Sequence, residues 1–67
     1  MPKGEVRHYD PQKGTGFIDC EDGRVAYFFH LDVEVGAEPP ARGDRVIFEL
    51  LEGQKGLEAR RVRQAPR

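Results

Sequence analysis

The chain of 67 residues contains no serine and a single cysteine, Cys20. Without serine there is no hydroxyl nucleophile of the serine-hydrolase kind, and one cysteine cannot close an internal disulfide. A domain this small buries only about 60% of the surface its unfolded chain exposes, so a disulfide framework or a metal would be the usual reinforcement. No C-x-x-C or H-x-x-x-H spacing joins Cys20, His8 and His30, and no metal site is expected. Cys20 reads instead as a small apolar strand residue in a protein of the reducing cytosol. Long hydrophobic runs are missing too. "VAYFF" is far too short to cross a bilayer, and "MPKGEVRHYD" is charged where a signal peptide needs an apolar centre. A glycine-rich phosphate loop is absent, since Asp19 stands where the third glycine of "GTGFID" would fall. These absences predict a soluble, cytoplasmic chain with no enzymatic activity, no cofactor, no small-molecule substrate and no membrane partner.

Net charge is also scarce: it is -1, with a pI near 6.1, whereas a basic nucleic-acid footprint usually brings a domain pI above about 9. The distribution says more than the sum. Residues 1–18 carry +1, residues 19–44 carry -5 and residues 45–67 carry +3. If the two ends of the chain meet on one face, that face is mildly basic on an acidic molecule. Binding there would rest only partly on phosphates.

No stretch repeats apolar residues at helical spacing for the length a helix needs, and Gly, Pro and Asp clusters interrupt the chain repeatedly. Five strand candidates remain, at 4–9, 14–20, 25–31, 44–51 and 56–64. "DPQKG" and "EDGR" are turn sequences that make the first three an antiparallel meander. The segment 32–43, with Pro39 and Pro40, is a long loop outside any ladder, and "EGQKG" closes a last hairpin. There is no internal repeat, low-complexity tract or linker. This order predicts a single all-β domain over residues 1–67, a small five-stranded antiparallel barrel of the OB type that leaves no open sheet edge. Period-two alternation assigns Val6, Ile18, Tyr27, Phe29, Val46, Phe48, Leu50 and Val62 to the interior.

The same alternation turns Thr15 and Phe17 of the second segment, and Phe28 and His30 of the third, away from that interior. Read from pattern alone, Phe17 and Phe28 are either ordinary core rings or an exposed flat patch in need of a partner. Nucleobases are suitable partners, because each has a π-face that stacks on an aromatic ring for about 1–3 kcal/mol with little regard to sequence. Gly14 and Gly16 then keep the backbone beside Phe17 low enough for a nucleotide to approach, and Lys13 is placed to meet a phosphate. "KGTGFIDC" agrees with the ribonucleoprotein signature K/R-G-F/Y-G/A-F-V-x-F/Y at Lys13, Gly14, Gly16 and Phe17, nearly at Ile18, and misses at Thr15 and Cys20. The fold that usually carries this signature needs two helices for which the chain has no room.

From about Gly4 to Val62 the sequence resembles the bacterial cold-shock proteins. "KGTGFI" is similar to that family's first ribonucleoprotein motif. "AYFFHL" is similar to its second, an acidic or small residue followed by Val-Phe-Val-His-Phe, and "GEVRHYDPQKG" to its opening Gly-x-Val-Lys-Trp-Phe-Asn-x-x-Lys-Gly. The resemblance implies an OB-type barrel that binds single-stranded RNA and DNA with little sequence preference. Carried over residue by residue, it implies binding roles for Lys13, Phe17, Phe28 and His30. It adds Arg7, where the family has lysine, Tyr9, where it has phenylalanine, and Lys55 in the final hairpin. His8 replaces the usual tryptophan, Thr15 an aromatic and Leu31 another, which implies weaker stacking than a typical member shows. For His8 the two readings differ: alternation places it inside with Val6, while the resemblance places it outside, which needs a bulge.

Arg60, Arg61 and Arg63 either follow a nucleic-acid backbone or protect the last strand as solvated charge. The function expected is that of a monomeric RNA chaperone or regulator of transcription or translation. The alternative is a protein-interaction barrel whose nucleic-acid face has degenerated.

Overall fold

The computed structural model describes residues 2–54 and 56–66. Its strands are β1 (Lys3–Asp10), β2 (Thr15–Cys20), β3 (Val25–Phe29), β4 (Arg45–Gly53) and β5 (Gly56–Gln64), with a 3-10 turn at His30–Asp32 after β3. They close into a barrel in the order β1-β2-β3-β5-β4. β1, β2 and β3 form the expected antiparallel meander, and β4 and β5 the expected hairpin. A parallel contact of β3 with β5 and an antiparallel one of β1 with β4 complete the closure. The fold is all-β and of the OB type, as the strand count and turn spacing imply.

Local chemistry explains where the strands end. After β1 the Asp10 carboxylate accepts from the Gln12 amide at 3.0 Å, and Gly14, at φ +68°, donates its N–H to the Asp10 carbonyl at 2.7 Å. This is an Asx turn followed by a left-handed residue, a conformation that glycine adopts without steric penalty. The third segment stops at Phe29 rather than running to Leu31. The Asp32 carboxylate accepts from the Phe29 amide at 2.9 Å, and the chain folds into the 3-10 turn. In the long connection to β4, Asp44 accepts from the Ala41 amide at 2.8 Å and from the Gln64 side-chain amide at 2.9 Å, tying the loop to the end of β5. Those hydrogen bonds, Gln64 first, hold the Asp44 carboxyl below the usual carboxylate range.

The interior is formed by Val6, Ile18, Cys20, Ala26, Phe28, Val46, Phe48, Ala59 and Val62, with Tyr9, Val33, Leu50 and Leu57 packed partly buried against them. Burial pushes the Cys20 thiol up from its ordinary pKa, which keeps it protonated and poorly nucleophilic. The assignments of Val6, Ile18, Val46, Phe48 and Val62 to the interior hold, and Leu50 joins it in part.

On β3 the phase of the alternation is the reverse of that expected. Phe28 is fully buried, whereas Tyr27 is half-buried and Phe29 is 40% exposed. Strand register is the cause: Ile18 pairs with Ala26 and Gly16 with Phe28, while Phe17 pairs with Tyr27 and Thr15 with Phe29. Paired residues on adjacent strands share a face, so the inward Ile18 takes Ala26 and Phe28 inward with it. Gly16 makes this possible, because a Cβ there would lie 2.7 Å from both Cε1 and Cζ of Phe28. Its missing side chain leaves room for a core ring. That replaces the expectation that it lowers the outer surface for a nucleotide.

A second irregularity settles His8. Val6 pairs with Ile18 and His8 with Phe17, so Arg7 is the extra residue of a β-bulge, and His8 is exposed. A bulge of this kind reverses the face of every residue beyond it, which is the outward placement the family resemblance implied.

Candidate nucleic-acid interface

The outer face of the meander carries one continuous row of cross-strand partners: His8 on β1, Phe17 on β2, Tyr27 on β3 and Glu58 on β5. A second row holds Asp10, Thr15 and Phe29. Phe17 and Phe29 are each about two-fifths exposed. The Phe17 and Tyr27 ring centroids lie 5.8 Å apart with planes at 27°, and those of Tyr27 and Phe29 lie 5.3 Å apart at 57°. At such separations aromatic rings attract one another, and here they form an uninterrupted ridge. Because all three stand on hydrogen-bonded strands, the ridge is rigid, and a ligand that stacks on it has little side-chain freedom to remove.

His30 opens the 3-10 turn directly after Phe29. Its amide donates to the Gly14 carbonyl at 2.7 Å, and its ring lies over Gly14 so closely that a Cβ there would collide with Nδ1. The exposed imidazole is thereby held beside the turn that carries Lys13. Lys13 is itself exposed and makes no ion pair with another described residue.

The other expected site residues have different surroundings. Phe28 lies inside the barrel and presents no face to solvent, so its expected place on the binding surface is corrected to the core. Tyr9 is half-buried and stacks on Phe28, with centroids 5.6 Å apart and planes 6° from parallel; one of its faces is therefore covered. Arg7 is exposed, and its guanidinium grips Asp19, with Nη2 2.5 Å from Oδ1 and Nε donating to Oδ2 at 3.1 Å. The hydrogen bond and charge of Asp19 raise the arginine's pKa further. Lys55 lies outside the described residues. Of the three arginines on β5, Arg61 bridges Glu34 at 3.6 Å and Glu49 at 3.3 Å, and Arg63 bridges Glu34 at 3.6 Å. Both are occupied in fastening the long loop to the strand.

Tyr27 and Phe29 are the functional candidates that alternation missed. The family motif contained a usable signal one residue out of step. Laid over Ala26 to His30, its two valines fall on the buried Ala26 and Phe28, and its Phe, His and Phe fall on Tyr27, Phe29 and His30.

A closed OB barrel with a solvent-facing aromatic ridge and an adjacent cation defines a class of protein that holds unstacked bases. Residues 2–65 match the family model described as the "cold-shock" DNA-binding domain. Among curated proteins, the chain is 40% identical over 62 residues to cold shock-like protein CspE of Escherichia coli, covering 90% of each chain. It is 38% identical over 64 residues to the major cold shock protein of Micrococcus luteus, covering 92% of this chain and 96% of that one. Among solved structures, the Drosophila Unr fragment CSD456 superposes with a TM-score of 0.77 at 23% identity. That alignment covers 97% of this chain but only 26% of the fly fragment, and it bears on the fold alone. The chain belongs to the cold-shock domain family, whose members bind single-stranded nucleic acids and are not enzymes.

Proposed function

We propose that the protein binds single-stranded RNA or DNA by stacking successive bases on Phe17, Tyr27, Phe29 and His30, with His8 at the near edge and Lys13 meeting a phosphate. Arg7 contributes only when it exchanges Asp19 for a phosphate, and Tyr9 only through the ring face that Phe28 leaves free. The observation that carries this reading is the ridge itself: three rings in line on adjacent strands of a small acidic protein, with Phe17 and Phe29 two-fifths exposed. Stacking tolerates any base and few cations are available, so binding is moderate in strength and largely insensitive to sequence. A monomeric single domain with these properties keeps transcripts from refolding without catalysis, and so acts in the cytoplasm as an RNA chaperone or as a regulator of transcription or translation.

An NMR titration with oligothymidine at two salt concentrations tests the reading. Amide and ring shifts should centre on residues 13–17 and 27–30, with a shallow salt slope corresponding to about two or three phosphates. Shifts confined to the arginines of β5, or none at all, would remove nucleic acid from the account in favour of a protein partner.

A further inference from the structure

Two shallow grooves flank Tyr27, and they differ in chemistry. One is lined by Phe17, Val25, Tyr27, Gly56 and Leu57, and no side chain in it can read a base edge except the tyrosine hydroxyl. The other is lined by Tyr27, Phe29, Gln54 and Glu58. In this second groove Glu58 is the cross-strand partner of Tyr27. Its carboxylate is folded onto the β4–β5 hairpin, over Gly53, where a Cβ would collide with Oε2. It makes no hydrogen bond or ion pair with another described residue. Glu58 thus lines the same groove as the Tyr27 and Phe29 rings, and its carboxylate has no competing partner among the described residues.

We infer that the groove between Tyr27, Phe29, Gln54 and Glu58 is a guanine-selective subsite on an otherwise sequence-tolerant face. The inference rests on the reading of that face given above. An ionised carboxylate only accepts hydrogen bonds and offers two oxygens. The Watson–Crick edge of guanine presents N1–H and the N2 amine side by side, two donors that match those oxygens. Cytosine and adenine offer one amine beside an acceptor nitrogen, so one oxygen is left facing a lone pair. Thymine and uracil present N3–H between two carbonyls, and both carbonyls face the carboxylate unfavourably. Unstacked bases in single strands are read on this edge, and Gln54, which lines the same groove, supplies the chemistry of an amide donor for guanine O6. Discrimination here comes as much from rejecting acceptor-rich edges as from attracting guanine.

The test compares affinities by fluorescence anisotropy for oligothymidine and for the same oligomer carrying one central guanine, inosine or cytosine. A single guanine should tighten binding about tenfold, in the range of a good bidentate base contact. Inosine, which keeps N1–H and lacks the N2 amine, should recover only part of that gain, and cytosine less. Glu58→Gln should abolish the guanine preference while leaving the affinity for oligothymidine equal or higher. Equal binding of guanine and thymine oligomers by the unaltered protein, or a preference that survives Glu58→Gln, overturns the inference and leaves the stacking face intact. Failure to bind any of the oligomers overturns the reading of the face, and this inference with it.

Discussion

On the inner face of the β2–β3 ribbon, Ile18, Ala26 and Phe28 are sealed within the barrel, while on the outer face Phe17, Tyr27 and Phe29 stand against solvent. Both faces are built from apolar and aromatic side chains, and composition alone does not tell them apart. Register and one glycine do. The pairing of Gly16 with Phe28 opens a space on the inside that a whole phenyl ring fills. The outer rings have no such socket and remain available to a ligand. Adjacent phenylalanines therefore answer to different physics: one contributes through burial and packing, the other through the stacking surface that remains uncovered.

The contrast breaks most sharply at Phe28 and Phe29. Phe28→Ala should lose about 3–5 kcal/mol of stability, the usual range for emptying a core ring site, which is a large fraction of what so small a domain has. Phe29→Ala, one residue on, should lose about 1 kcal/mol or less, as surface changes generally do. Urea denaturation of the two variants measures both, and equal losses would mean that the faces are wrongly assigned. Gly16→Ala follows in size. Its new methyl must displace a buried ring and the His8 carbonyl, each 2.7 Å away, and overpacking of this kind costs about 1–3 kcal/mol. Thermal unfolding should show the loss, and the tallest candidate for relief, Phe28→Leu in the same chain, should restore part of it.

Binding variants sharpen the other half of the comparison. Phe17→Ala should weaken oligothymidine binding about tenfold, one stacked base being worth about 1–3 kcal/mol, with little change in the denaturation midpoint. A large stability loss with unchanged affinity would put that ring in a structural role. Lys13→Ala should have the smallest effect, a fewfold weakening together with a salt slope reduced by about one. Calorimetry at two salt concentrations separates that result from a uniform loss of affinity.

Much of this was legible in the residues. Turn sequences and strand lengths led to the five-stranded barrel, and "KGTGFI" led to Lys13 and Phe17. The phase of β3 was not legible from alternation, because Tyr27, Phe28 and Phe29 are all aromatic and offer no polar residue to mark the outside. The informative residue lay on the neighbouring strand: Gly16, on the same face as Ile18, leaves a gap that the opposite inward residue must fill. Position 8 was beyond strict alternation for a different reason. The bulge at Arg7 shifts the register by one, and only the family resemblance pointed to it. The ion pair of Arg7 with Asp19 depends on the register within the β1–β2 ribbon, and those of Arg61 and Arg63 with Glu34 depend on where the long loop returns against β5, which local sequence does not encode.

The chain has two tyrosines and no tryptophan, so tyrosine emission reports on the ridge directly. In a Tyr9→Phe variant the only emitting ring is Tyr27, and addition of oligothymidine should quench it strongly and saturably. In a Tyr27→Phe variant only Tyr9 emits, packed on Phe28, and its quenching should be much smaller. Strong quenching of Tyr9 with none of Tyr27 at saturating oligonucleotide would contradict the outward aromatic ridge as the place where bases stack.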